Sequence, residues 1–195
     1  MHSHMIVFIV GMPGAGKSIV SDELVKDGFA YVRFGQIVID EIKKRGLEVN
    51  EVNEKVVREE LRKEHGMGVM ATLNMQTFDE LLKKSNVVGD GLYSWTEYKI
   101  LKEKYGERMH VLAVYAPPRL RYDRLENRSA EGDADSRFRS IPKEKSKSRD
   151  YAEIEGIEKG GPIAMADFTI INTGSVEDAK TQLQNFLKQL NEHKY

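Results

Sequence analysis

A glycine-rich turn between two apolar segments limits the folds open to this chain more than any other stretch. Residues 6–20 read IVFIVGMPGAGKSIV, in which strand-forming residues precede the turn and apolar residues return at helical spacing after it. The turn fits the pattern G-x-x-x-x-G-K-[ST], whose glycines let successive backbone N–H groups point into one concavity. Because the following helix directs its positive end to the same place, the stretch predicts a phosphate-binding loop.

The side chains of this turn have separate expected roles. Lys17 is predicted to contact the β- and γ-phosphates of ATP, and the Ser18 hydroxyl to coordinate Mg²⁺. The alternative is a glycine-rich turn with an incidental lysine, which the flanking strand and helix disfavour. The predicted nucleotide-binding residues here are Gly11, Pro13, Gly14, Ala15, Gly16, Lys17, Ser18 and Ile19.

Strand-like and helix-like segments alternate along the rest of the chain. This alternation predicts a three-layer α/β fold, with a parallel sheet of five strands covered by helices on both faces. A single domain is expected over residues 5–195, and residues 1–4 are interpreted as a cloning remnant. The predicted strands are residues 5–10, 29–34, 86–91, 109–116 and 167–172.

Composition excludes several classes of function. The 195 residues include no cysteine, so disulfides, cysteine nucleophiles and thiolate metal sites are absent. The formal net charge of −1 gives no overall field for nucleic acid or an anionic membrane. No apolar run approaches the ~20 residues of a membrane span. We therefore expect a cytoplasmic protein without nucleic-acid or membrane partners.

One long polar segment interrupts the pattern of strands and helices. Residues 129–150 contain few apolar side chains, so the segment is predicted to lie on the surface. Arg149 lies near its end, while Arg121, Arg124 and Arg128 share one face of the preceding helix. Such cations could surround a phosphoryl group in transit, or they could form an ordinary solvated surface.

Asp90 ends the predicted third strand, in the sequence NVVGDG. The carboxyl ends of parallel strands meet at one edge of a sheet, so its carboxylate would emerge beside the phosphate loop and could hold Mg²⁺. The alternative is an aspartate in a common Asp-Gly turn.

These motifs together resemble the nucleoside-monophosphate-kinase-like P-loop kinases. The chain is most similar to a mostly archaeal group of nucleotide kinases related to dephospho-CoA kinases and adenylate kinases. The resemblance rests on GMPGAGKS, YAPPRLRYDRLENR and PIAMADFTIINTGSVED, in that order. It implies a helical acceptor-binding region at residues 35–84, a lid at residues 129–150, and ATP with Mg²⁺ as cofactors.

The resemblance also implies roles for individual residues. Arg124 would lie near the ATP base and Arg128 on its phosphates, while Arg149 would close with the lid on the transferring group. Lys17, Arg128 and Arg149 would then be the catalytic set. Asn172 and Thr173 would border the adenine, although the same residues also suit a plain turn before a capped helix.

The chain departs from the family at the positions that grip an acceptor phosphate. Adenylate kinases have an aspartate and an arginine after the second strand, where this chain has Gln36 and Ile39. A further arginine follows the third strand in that family, and here Tyr93 or Ser94 takes its place. Both usual clamps for a monophosphate are therefore missing.

The residues at these positions define a predicted acceptor pocket. Arg33, Gln36, Tyr93 and Trp95 could bind an acceptor with aromatic stacking, or the two aromatic residues could simply pack the start of a helix.

The sequence thus predicts an ATP-dependent phosphotransferase acting on a small nucleotide-type acceptor. One alternative is phosphorylation of a hydroxyl group, as in dephospho-CoA kinases, with Asp40 or Glu41 taking the proton. Another is a slow ATPase that regulates a protein partner. The motifs leave the choice of ATP or GTP, the acceptor and the oligomeric state open.

Overall fold

Five parallel strands form one sheet in the order β2-β3-β1-β4-β5. The computed structural model describes residues 4–128 and 140–192. The predicted fold class is confirmed, while the start of the expected cloning remnant and residues 129–139 of the expected lid lie outside the described residues. The strands are Ile6–Val10 (β1), Ala30–Arg33 (β2), Val87–Asp90 (β3), Met109–Tyr115 (β4) and Phe168–Ile171 (β5).

Helices connect the strands and follow the last one. The α-helices of the described residues are Lys17–Lys26 (α1), Gln36–Lys44 (α2), Glu51–His65 (α3), Val69–Leu81 (α4), Trp95–Tyr105 (α5), Pro118–Glu126 (α6), Lys143–Ile157 (α7), Gly160–Ala164 (α8) and Val176–Glu192 (α9). None of them is both long and apolar enough to cross a membrane.

The core has two parts, one on each face of the sheet. Successive residues of β1 point to opposite faces, so Phe8 packs on one side and Ile9 on the other. The rings of Phe8, Phe34 and Phe78 meet at centroid distances of 5.5–5.7 Å on the side of α2 and α4. The second face is covered by α1 and α9. All five residues of β1 are consequently buried.

The polar segment before residue 150 lies mostly at the surface, as its composition predicted. In its described part, residues 140–150, most side chains are exposed, while Ser146 and Asp150 on α7 are buried. Asp150 is held by an ion pair with Arg121 and a hydrogen bond from Tyr122, both on α6. Contacts of this kind leave no apolar stripe in the sequence, so composition did not indicate the two buried positions.

Candidate active site

Three glycines give the phosphate loop its shape. Gly11, Gly14 and Gly16 have φ angles of 141°, 79° and 101°, which side chains rarely adopt. Space is also lacking, because a Cβ on Gly11 would lie 2.4 Å from the carbonyl oxygen of Val114 and one on Gly16 would lie 2.1 Å from Nδ2 of Asn172. The loop therefore curls tightly against β4 and the turn after β5.

Lys17 is held above this loop by the loop itself. Its Nζ donates hydrogen bonds to the carbonyl oxygens of Gly11 at 3.0 Å and Met12 at 3.4 Å. Burial lowers the pKa of Lys17 to about 7, and the nearby charge of Lys159 contributes in the same direction. A bound phosphate would favour the charged form, so nucleotide binding and protonation of this lysine are coupled.

We expect nucleotide binding to take up protons above pH 7. Between pH 7.5 and 9 the free lysine is increasingly neutral, while the phosphate-bound lysine stays charged, so affinity for Mg·ADP should fall as pH rises. Calorimetry in buffers of different ionisation enthalpy would measure the uptake. Lys17→Met should abolish it and Lys26→Met, on the exposed side of α1, should not. Equal uptake in Lys17→Met and wild-type protein would contradict the coupling.

The residues predicted to hold Mg²⁺ offer suitable oxygen atoms. Asp90 pairs in register with Ile9, and this places it at the same sheet edge as the loop. Its Oδ2 accepts a hydrogen bond from the Tyr31 hydroxyl at 3.0 Å, and Ser18 is the second residue of α1, directly after Lys17. Mg²⁺ takes few protein oxygens and keeps several waters. The hydroxyl of Ser18 and the carboxylate of Asp90 therefore fit such an ion.

Arg121 is a structural residue, although its helical face suggested a role in phosphoryl transfer. It is buried, and its guanidinium pairs with both carboxylate oxygens of Asp150 at 3.0 and 2.5 Å. It also donates to the carbonyl oxygens of Pro13 at 2.9 Å and Ala116 at 3.0 Å. Arg121 thus joins the phosphate loop, the end of β4 and α7.

A network of charges lies near Lys17, on α7 and just after it, in which Lys159 is buried, Glu153 is mostly buried and the Arg149 side chain is 45% exposed. The Glu153 carboxylate accepts a hydrogen bond from Nε of Arg149 at 2.8 Å and pairs with Lys159. Burial opposes ionisation of Glu153, but Lys159 and Arg149 lower its pKa to about 2. Nζ of Lys159 lies 4.2 Å from the centre of the Tyr93 ring. The sequence did not predict Lys159 or Glu153 at the site.

On the side expected to hold the base, Asn172 contacts the loop. Its buried side-chain amide donates to the carbonyl oxygen of Ala15 at 2.8 Å, so it positions the phosphate loop, a role the sequence did not indicate. Thr173 is exposed beside it. Arg124 is half-buried, and its Nη1 has no hydrogen-bond partner in the described part of the chain. Arg128 is partly exposed at the end of the same region.

The four predicted acceptor residues separate into two pairs. Arg33 ends β2 in register with Asp90, and Tyr93 follows β3, so both lie at the loop edge of the sheet. Gln36 is exposed, and its amide donates to Asp40 at 2.8 Å along α2. The structure therefore leaves Arg33 and Tyr93 as the stronger candidates of the set.

Trp95 has packing partners within the protein. Its indole ring stacks on Tyr98 with centroids 5.0 Å apart, and a Cβ on Gly161 would lie 2.9 Å from it. These contacts account for Trp95 as a packing residue between α5 and α8, without a ligand.

Comparison with known proteins identifies the family. A family model described as an AAA domain matches residues 7–152. A UPF0200 protein of Thermococcus gammatolerans is 39% identical over 194 residues, covering 96% of this chain and 98% of the relative. The chain belongs to the UPF0200 protein family. A UPF0200 protein of Methanocaldococcus jannaschii is 34% identical over 187 residues, covering 95% of this chain and 90% of the relative.

Solved structures share the fold of this UPF0200 chain. TT1252 from Thermus thermophilus has a TM-score of 0.63 at 20% identity, covering 97% of this chain and 99% of its own. A shikimate kinase from Acinetobacter baumannii has a TM-score of 0.55 at 19% identity, covering 98% and 96%. The UPF0200 chain therefore has a P-loop, kinase-like α/β fold, and its P-loop domain implies nucleotide binding.

Proposed function

We propose that this UPF0200 chain is a P-loop kinase that transfers the γ-phosphoryl group of Mg·ATP to a small nucleotide-type acceptor. The observation that carries the proposal is the pair of cations that faces the phosphate loop. Nζ of Lys159 lies 4.2 Å from the centre of the Tyr93 ring, at the loop edge of the sheet. Burial is the main cause of the lowered pKa of Lys17, the charges of Lys159 and Arg149 lower it further, and those of Asp90 and Glu153 oppose them, so all four groups lie near this lysine. A site that only retains a nucleotide needs the loop and its lysine, whereas phosphoryl transfer needs further cations around the moving charge.

The chemistry would be mainly positioning and charge neutralisation, since the transferred group is metaphosphate-like in the transition state. The loop amides and Lys17 would hold the ATP phosphates, with Arg124 near the base. Ser18 and Asp90 would hold Mg²⁺, which neutralises charge between the β- and γ-phosphates when bound.

Three cations complete the proposed machinery. Arg128 would contact the phosphates, as the family resemblance implies, while Arg149 and Lys159 would face the group in transit. Arg33 and Tyr93, at the ends of neighbouring strands, would line the acceptor side.

A hydroxyl acceptor of the dephospho-CoA type has weaker support. Asp40 is exposed and accepts a hydrogen bond from Gln36 at 2.8 Å, and Glu41 pairs with Arg45 at 2.8 Å. Both carboxylates already have a partner within the protein, so neither is free to accept the proton of a substrate hydroxyl. We therefore favour the nucleotide-type acceptor.

The test is ADP release from Mg·ATP across a panel of acceptors. The panel contains a reaction without acceptor, each nucleoside and deoxynucleoside monophosphate, dephospho-CoA, and shikimate, because a shikimate kinase shares the fold. We expect at least tenfold stimulation by one nucleotide-type acceptor. A slow rate that is indifferent to every acceptor would contradict the kinase and favour a regulatory ATPase.

A further inference from the structure

The positions at which related kinases grip an acceptor phosphate have structural roles in this chain. Ile39 is buried in the core. The Ser94 hydroxyl caps α5 by accepting a hydrogen bond from the backbone N–H of Glu97 at 3.0 Å. Gln36 is exposed and bonded along its own helix. An anionic group on the acceptor would therefore need a partner elsewhere.

Arg62 on α3 has a buried guanidinium nitrogen without a hydrogen bond in the described part of the chain. Its Nε is buried and makes no hydrogen bond, and no carboxylate of residues 4–128 or 140–192 lies within 4.0 Å of its side-chain nitrogens. A buried donor that is left unsatisfied is destabilising, and the effect is larger for a charged group. Within the same described residues, the other such nitrogen is Nη1 of Arg124, on the nucleotide side. The unsatisfied Nε donor makes Arg62 a candidate to bind an anion.

The surroundings of Arg62 place it on the acceptor side of the site. Arg62 lies in the last turn of α3, which packs against α2 and α4, and the Ser94 hydroxyl donates to the carbonyl oxygen of Met67, just after α3, at 3.5 Å. The end of α3 therefore lies beside the segment that carries Tyr93. Burial lowers the pKa of Arg62, and the charges of Glu97 and Glu153 partly oppose this effect. Glu97 is not a free counter-ion, because its Oε2 already accepts the backbone N–H groups of Tyr93 at 3.0 Å and Ser94 at 2.9 Å.

Glu153 is likewise occupied, by Lys159 and Arg149. Arg58 lies one helical turn before Arg62 on α3, where residues four apart share a face. It is paired only loosely with Glu54, at 3.7 Å. Glu59, three residues before Arg62, also acts on its guanidinium and is held only loosely by Lys55, at 3.8 Å. The nearby charges are therefore of both signs, but the described carboxylates all lie more than 4.0 Å from the side-chain nitrogens of Arg62.

We propose that the acceptor carries its own anionic group, a phosphate or a carboxylate, and that Arg62 binds this group with support from Arg58. The proposal rests on the proposed kinase function and names the class of its substrate. A guanidinium presents Nε and Nη donors in a fork that matches two oxygens of such a group. Arg62 would replace, from a different helix, the clamps that the sequence lacks.

The test uses protein saturated with Mg²⁺ and a non-hydrolysable ATP analogue, so that the γ-phosphate position is filled. Calorimetric titration with inorganic phosphate and with malonate then probes the acceptor side. We expect one of these anions to bind, and Arg62→Ala and Arg62→Gln to weaken it by about tenfold to a hundredfold. Arg62→Lys should recover part of the loss, because it keeps the charge without the fork.

The matched control is Lys63→Ala, which removes an exposed cation from the next position of α3. It should bind the anion like wild type, and affinity for the ATP analogue should be unchanged in all variants. Arg62→Gln keeps a polar side chain with an NH2 donor and removes the charge, so it serves if Arg62→Ala does not fold. Absence of binding by both anions, or equal binding in wild-type protein and both neutral variants, would overturn the proposal.

These outcomes separate the two proposals. Arg62-dependent anion binding without transfer to any member of the acceptor panel would contradict the kinase and leave the anion site standing. Transfer to a neutral acceptor that is insensitive to Arg62→Gln would contradict only the anion site.

Discussion

Lys17→Met is expected to lower ATP turnover by roughly 10² to 10³-fold, the usual effect of removing one preorganised group that stabilises transition-state charge. The lysine is held by two carbonyl oxygens of the loop, and Lys159 and Arg149 face it. Methionine has a similar length without the charge, so the loop should keep its shape. The measurement is the rate of ADP release from Mg·ATP, with and without the best acceptor.

Lys26→Met is the matched control for this substitution. Lys26 lies on the same helix but pairs with Glu23 at the surface, so turnover should stay within about twofold of wild type. Unchanged turnover in Lys17→Met would contradict the role of the loop in catalysis and in the proposed function.

The second large effect concerns stability. Asp150→Asn is expected to lower the free energy of unfolding by about 3–5 kcal/mol, because it leaves the buried Arg121 without a charged partner. Four hydrogen bonds from Arg121 end on the phosphate loop, β4 and α7, so the loss should extend beyond one helix. Urea denaturation followed by circular dichroism would measure it.

A second ion pair between the same two regions provides the comparison. Lys143 and Asp123 lie 2.6 Å apart and are solvent-exposed, so Asp123→Asn should change stability far less. Equal losses of unfolding free energy in Asp150→Asn and Asp123→Asn would show that burial does not increase the contribution of the Arg121–Asp150 pair to stability. Arg121→Met combined with Asp150→Leu should recover part of the lost stability, because both charges are then absent while the carbonyl oxygens of Pro13 and Ala116 lose their donor.

Much of the fold could be predicted because its signals are local. The buried strand β1 has no polar residue, and its predicted bounds, residues 5–10, agree within one residue with the observed Ile6–Val10. The glycines of the loop were also predictable, since each motif position requires a conformation that other residues avoid. Periodicity and turn chemistry are sufficient for such elements.

The rest of the site depends on charges that meet only in the folded chain. Arg121 and Arg124 look alike in the sequence, yet one is paired in the interior and the other has an unpartnered nitrogen. Lys159 follows Glu158, which turns left-handed at the end of α7 with a φ of 54°. That turn returns Lys159 to Glu153 at a spacing of six residues, which is no helical period. A charged segment with few apolar residues is predicted from its composition to lie at the surface.

The bond between Arg121 and Asp150 has a consequence for how the protein would choose its acceptor. Asp150 is the neighbour of Arg149, so the backbone of Arg149 is fixed relative to Pro13 and the phosphate loop before any ligand arrives. The entropy of ordering this part of the backbone is lost during folding and not when a ligand binds. Interactions with the acceptor need not assemble this part of the site, and they remain available to discriminate one small molecule from another.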